Sequence, residues 1–168
     1  MNRQQNESQS FAARRDILVE NPPVLLQNFS REDITGFLEV GVIERYSLGD
    51  PIMKEGETGN SACLIVSGLV SVWKYNNMIV TLGVGEFIGE MFLFSQSRRI
   101  ANVIAEESTI ILRFHRKAVL DYFRKKPERL FKIFIMNIIN IQQQKIEAMD
   151  NKIITLQEKL KQATSESE

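Results

Sequence analysis

Between Val42 and His115 the chain has no room for a long helix, because turn-forming residues interrupt it every few positions. The apolar runs are short: Val42–Tyr46, Cys63–Val66, Leu69–Tyr75, Met78–Leu82, Ile100–Ile104 and Thr109–Phe114. Between them fall Gly49-Asp50-Pro51, the stretch Glu55 to Asn60, Ser67-Gly68, Asn76-Asn77, Gly83 and Gly85. Short strands at this spacing indicate a β-sandwich, jelly roll or barrel. Asn76-Asn77, lying between two strand-like runs, predicts a two-residue hairpin loop.

The flanks are helical. Residues 1–20 are rich in Gln, Asn, Ser and Arg and read as a flexible tail ending at the breaker Pro22-Pro23. Ser30, followed by Glu32 and Asp33, predicts a capped helix whose apolar face is Ile34, Phe37 and Leu38 and whose end is Gly41. Lys117 to Lys125 predicts a short helix, and Pro127 opens a second that continues to about Gln162. The expected division is therefore 1–20 tail, 21–125 folded domain, 126–163 long helix and 164–168 terminal tail. Along that helix Ile139, Ile146, Ile153 and Leu160 share one heptad position. Ile135, Gln142, Met149, Leu156 and Ala163 share the other apolar position. Ile at a with Leu at d favours a parallel two-stranded coiled coil, so a homodimer is expected, with Ile135, Ile139, Ile146, Met149, Ile153, Leu156 and Leu160 in its seam.

Composition narrows the function. Lys+Arg and Asp+Glu each number 21 among 168 residues, so neither a DNA partner nor an anionic membrane surface is favoured. One Cys (Cys63) and one His (His115) leave no disulfide framework and no cluster for a metal. The lone thiol and the polar N-terminus fit a reducing, cytoplasmic setting. No nucleophile–base pair or carboxylate dyad emerges, and catalysis is not expected.

The densest segment runs from Gly85 to Val103. Glycines let the backbone turn, and the amide N–H groups opening a short helical turn, with an Arg nearby, make an anion site. Glu90 beside them would repel a bare phosphate. It fits a ligand that carries hydroxyls as well as a phosphate. Arg supplies a fork for phosphate oxygens.

Gly85, Ile88, Gly89, Glu90, Met91, Leu93, Phe94, Arg99, Ala101 and Val103 match, in register, the phosphate-binding cassette of cyclic nucleotide-binding domains, and the segment resembles that family. Upstream, Gly49 to Ile52, Glu55 to Gly59 and Ile65 to Val70 are similar to its second signature. The resemblance covers about Leu25 to Gln144 and is closest to bacterial regulators of the catabolite activator type. It implies a mainly β fold with flanking short helices: a double-stranded β-helix, or jelly-roll-like β-roll, over 21–125, followed by a long C-terminal coiled-coil helix.

The resemblance also implies roles. Arg99 pairs with the cyclic phosphate, and Glu90 accepts from the ribose 2′-hydroxyl. Backbone amides of Gly89, Glu90 and Met91, and of Ile100 and Ala101, complete the cradle. Ile79 and Leu82 pack on the base, and Gln144 and Lys145 fall where the long helix reaches it. Three departures stand out: Ile100 replaces a small or hydroxyl residue, Asn102 stands where Thr or Ser is common, and Phe92 replaces a small residue.

Only Ala163 to Glu168 follow Gln162, whereas a winged helix-turn-helix takes about 60 to 70 residues. The expectation is thus a homodimeric, non-DNA-binding sensor of cAMP, ahead of cGMP, that signals through a partner protein. The alternative is a nucleotide-independent scaffold whose vestigial pocket is filled by Phe92 and Ile100.

Overall fold

The structure, a computed structural model, describes residues 3–94 and 98–165, without the side chains at 3–11, 92 and 165. Eight strands form two four-stranded sheets: β1 (Val42–Tyr46), β2 (Pro51–Met53), β3 (Ser61–Ser67), β4 (Val70–Lys74), β5 (Asn77–Leu82), β6 (Phe87–Ile88), β7 (Asn102–Ala105) and β8 (Thr109–His115). One sheet has the order β1-β8-β3-β6 and the other β2-β7-β4-β5. Every pairing is antiparallel. The result is the expected β-roll, flanked by α1 (Arg3–Glu20), α2 (Arg31–Leu38), α3 (Arg116–Arg124) and α4 (Glu128–Ser165).

The sequence Ala62-Cys63-Leu64-Ile65-Val66 explains how the layers join. Alternate side chains of a strand point to opposite faces, and here both faces are apolar. Ala62, Leu64 and Val66 pack with the helices, whereas Cys63 and Ile65 pack between the sheets with Ile52, Val70 and Ile111. β3 is accordingly buried along its length. Burial pushes the Cys63 thiol up to about 12, so this cysteine is a small core residue.

The helical layer is built on aromatic rings. Phe37 stacks on Phe114 at 4.9 Å, Phe123 meets Phe134 at 4.8 Å, and Phe37 meets Phe134 at 5.3 Å. The four rings tie α2, β8, α3 and α4 into one cluster. Asn137, an apparent flaw in the apolar face of α4, is buried and donates to the carbonyls of Leu25 (3.0 Å) and Gln27 (2.8 Å). It satisfies the short 3-10 turn at Val24–Leu26, where burial without a donor would be costly. Ser30 caps α2 as expected, accepting from the Asp33 amide.

Three details differ from the sequence reading. Residues 3–20 are helical, and the last turn of α1 is no tail, because Leu18 and Val19 are buried. No Gly or Pro interrupts this stretch, so helix is available once an apolar turn finds a core. The hairpin loop is Tyr75-Asn76, one residue earlier than expected, with Lys74 opposite Asn77. Both loop residues have positive φ (49° and 60°), as a type I′ turn requires. The register then skips Ile79 as a bulge between Val72 and Trp73. Finally, β7 begins at Asn102 instead of Ile100, because residues 98–99 pair with the loop at 56–58. Residues 166–168, the end of the expected terminal tail, lie outside the described residues.

α4 has 38 residues, about 57 Å at the standard rise. Leu130, Phe134 and Ile138 are buried, but from Gln143 to Thr164 the helix is exposed. Lys126, just before it, reaches Asp33 at 2.8 Å, and the Tyr122 hydroxyl donates to the Asp33 carbonyl.

Phe134→Ala is expected to cost about 3–5 kcal/mol in denaturant unfolding. Asp33 yields a pH test. The hydrogen bond from Lys126 holds its carboxyl below the ordinary 3.8. The pair therefore stabilises the fold above pH 3.8, and that contribution disappears as pH falls through the lowered folded value. Asp33→Asn should lower the thermal midpoint at pH 7, and its difference from wild type should close at strongly acid pH.

Candidate functional site

Three backbone segments meet around Arg99. Its amide donates to the Glu57 carbonyl at 2.7 Å, and its carbonyl accepts from the Gly56 amide at 2.8 Å. These bonds fasten residue 99 to the loop before β3. Its guanidinium donates through Nη2 to the Ser61 carbonyl at 2.5 Å and to the Ser61 hydroxyl at 3.2 Å. Nη1 lies against Gly89, where a Cβ would sit only 2.5 Å away. Gly89 also has φ of 76°, so glycine is demanded there both by conformation and by space. Gly59 faces the same guanidinium from the other side, a Cβ there falling 3.1 Å from Cζ.

Arg99 is half-buried, and burial pulls its pKa below the ordinary arginine value without removing the charge. Among the described residues no carboxylate forms an ion pair with it.

Gly89 leads into a 3-10 turn, Glu90–Leu93. The first amides of such a turn have no acceptor within it. Glu90 is 3% exposed, an unusual burial for a carboxylate. Its Oε1 accepts from Gln142 Nε2 at 2.5 Å and from Lys145 Nζ. Both donors stand on α4, three residues apart and hence on one face. Lys145, expected with Gln144 where the long helix reaches the base, meets Glu90 together with Gln142. Gln144 is exposed, on another face. The i, i+3 relation to Lys145 was the available signal for Gln142.

The other expected residues are more dispersed. Leu82 pairs with Val70 and packs on the inner core, whereas Ile79 sits half exposed in the bulge of the edge strand β5. Met91 is 43% and Ile100 73% exposed, so Ile100 fills no pocket. The side chain of Phe92 lies outside the described residues. Ala101 is partly buried ahead of β7. Asn102 accepts from the Glu55 amide at 2.9 Å, which commits its carboxamide to the loop. Two surface clefts, one beside Gly36 and Lys126 and one beside His115 and Arg124, include neither Arg99 nor Glu90. Among the described residues no cluster suited to a metal occurs, and no helix is long and apolar enough to cross a membrane.

Sequence reasoning missed Ser61. It lies between the turn ending at Asn60 and the apolar run beginning at Cys63, and only the structure shows it buried at the foot of β3 against two guanidiniums.

The geometry provides a forked cation at a glycine turn, beside a buried carboxylate that a helix reaches. Residues 43–126, half of the 168, match the family model described as Cyclic nucleotide-binding domain. Human cGMP-dependent protein kinase 2 is 35% identical over 92 residues, 51% of this chain and 12% of that protein. The Cyclic AMP receptor protein of Thermus thermophilus is 32% identical over 87 residues, 49% of this chain and 40% of that protein. The chain therefore spans well under half the length of these relatives. The crystal structure of the Thermus thermophilus Catabolite Activator Protein superposes with a TM-score of 0.69 at 24% identity, covering 79% of this chain and 62% of that one.

Removing the Glu90 carboxylate should release α4. Glu90→Ala is expected to speed amide hydrogen exchange across residues 139–148 about ten-fold, because a hydrogen-bonded charge is lost. Exchange in β3 should stay unchanged.

Proposed function

The chain belongs to the cyclic nucleotide-binding domain family, and on that premise we propose that it binds a cyclic purine nucleotide, cAMP ahead of cGMP, and signals as a homodimer through a partner protein. One observation carries the reading: the Arg99 guanidinium is tethered by one nitrogen to Ser61, its other terminal nitrogen lies against Gly89, and no carboxylate forms an ion pair with it among the described residues. A doubly oxygenated anion such as a cyclic phosphate suits that fork. The first amides of the Glu90–Leu93 turn, with those of Ile100 and Ala101, would add donors around it. The Glu90 carboxylate suits the ribose hydroxyl, for which Gln142 and Lys145 now substitute.

Relatives named for cGMP and for cAMP match this chain at similar identity, so the base rests on other grounds. Asn102 gives its Oδ1 to the Glu55 amide and does not decide the base. The preference for cAMP follows the resemblance to regulators of the catabolite activator type.

The exposed stripe Ile139, Ile146, Met149, Ile153, Leu156 and Leu160 keeps heptad spacing and stands clear of the body of its own chain, which supports a two-stranded coiled coil with a second copy. Ile135 packs partly on its own core and can contribute only the near end of such a seam. The seam and the site share α4. A ligand that takes Glu90 from Gln142 and Lys145 would favour one arrangement of the two long helices over another, by its differential affinity for them.

The alternative reading is a nucleotide-independent scaffold. What favours it is that Glu90 already has partners within the chain. Calorimetric titration with cAMP and cGMP separates the two. Wild type should bind saturably, and Arg99→Ala should lose at least about 100-fold in affinity, because two charge-assisted bonds disappear. No binding by folded, nucleotide-free protein would leave the scaffold. For the dimer, wild type should sediment at twice the chain mass, and Ile146→Lys with Leu156→Lys should sediment at the chain mass.

A further inference from the structure

Arg99 does not orient itself. A long side chain with several rotatable bonds must be held by something if its fork is to meet a ligand without a large ordering cost. Outside the glycine-rich segment, the group that holds it is Ser61, the first residue of β3. Ser61 is 4% exposed, and its carbonyl accepts from Arg99 Nη2 at 2.5 Å. Its hydroxyl accepts from the same nitrogen at 3.2 Å and from Arg113 Nη1 at 3.3 Å. A serine oxygen offers two acceptor positions, and here each faces a guanidinium.

Arg113, on β8, is rigid for reasons of its own. Its Nε donates to both Glu44 carboxylate oxygens, at 2.9 and 2.8 Å. Its Nη2 donates to the Tyr46 hydroxyl at 3.0 Å and to the Ile52 carbonyl at 3.1 Å. The fork is thus occupied on every nitrogen and neutralised by Glu44, so Arg113 supplies placement rather than free charge. Fixed by β1 and β2, it presents a stationary N–H to Ser61.

We infer that Ser61 is a positioning residue for anion binding, acting through Arg99. Its hydroxyl and carbonyl grip Nη2 of Arg99 and leave Nη1 against the Gly89 turn, and Arg113 holds the hydroxyl in place. The inference rests on the nucleotide reading of Arg99. It adds a determinant of affinity that lies outside the Gly85–Val103 segment and outside every residue the resemblance implied.

The test is calorimetric titration of the full chain with cAMP and cGMP for wild type, Ser61→Ala and Ser61→Thr, each with a thermal melt. Ser61→Ala keeps the carbonyl and deletes the hydroxyl. It should weaken binding about ten-fold, the scale of one hydrogen bond to a charged group, while the midpoint falls by no more than about 4 °C. Ser61→Thr keeps the oxygen and should bind within about two-fold of wild type. Equal affinity for Ser61→Ala and wild type overturns the inference and leaves the nucleotide reading intact. A Ser61→Thr loss as large as that of Ser61→Ala also overturns it, because the hydroxyl is then not what matters. Failure of wild type itself to bind either nucleotide overturns the reading first and the inference with it.

Discussion

The molecule depends on a strand with two apolar faces. β3 sends Ala62, Leu64 and Val66 into the helical layer and Cys63 and Ile65 into the space between the sheets. A strand buried on both faces has no register freedom, since a slip of one residue exchanges the contents of the two cores. Its position along β8 is therefore fixed, and so is the residue at its foot. Ser61 can serve as a stationary anchor because the residues after it in β3 are locked. The polar site is placed by hydrophobic packing, not by its own hydrogen bonds.

α4 extends this placement to a second element. Its first half belongs to the core through Leu130, Phe134 and Ile138, and from Gln143 to Thr164 it is exposed. Gln142 and Lys145 stand at the junction, and both bind Glu90. Glu90 in turn opens the turn that follows Gly89, against which Arg99 lies. Arg99, the cassette turn and the free half of α4 thus form one chain of contacts. In the proposed reading a ligand that engages Arg99 and Glu90 acts on this chain, and α4 is the element with room to respond.

The β-roll, the capped α2, the two C-terminal helices and the match of the Gly85–Val103 segment were legible in the sequence, because each is written in local signals. Punctuated apolar runs, Ser30 before Glu32 and Asp33, and Pro127 before a heptad are all readable without tertiary knowledge. What escaped was decided by distant contacts. Nothing local says that Leu18 and Val19 find a core. The hairpin loop moved to Tyr75-Asn76 because the register of β4 with β5 outweighs the preference of tyrosine for negative φ. Asn137 read as an interruption until the carbonyls of Leu25 and Gln27, more than a hundred residues away, gave it partners. Gln142 falls at an apolar heptad position without being an apolar residue, and its partner is Glu90. Ser61 carried no sequence signal because its contacts are to two arginines that arrive from β8 and from the segment before β7.

The distribution of charge separates structural cations from a binding one. Arg113 is half-buried and paired with Glu44, and Lys145 is paired with Glu90. Lys126 is paired with Asp33. Arg99 is half-buried, bonded only to neutral oxygens of Ser61, and without an ion-pair partner among the described residues. Removing a guanidinium from water without a counter-ion is unfavourable, and a fold that needed only a bracket between the 56–59 loop and the Gly89 turn would lose nothing by using a neutral side chain. The unfavourable term makes sense where an anion arrives to offset it. Gly59 and Gly89 let the guanidinium pack against their backbone, where a Cβ at either position would displace it. In the proposed reading this cation, held on one nitrogen, flanked by glycines and without an ion-pair partner among the described residues, is completed by the anion of the ligand.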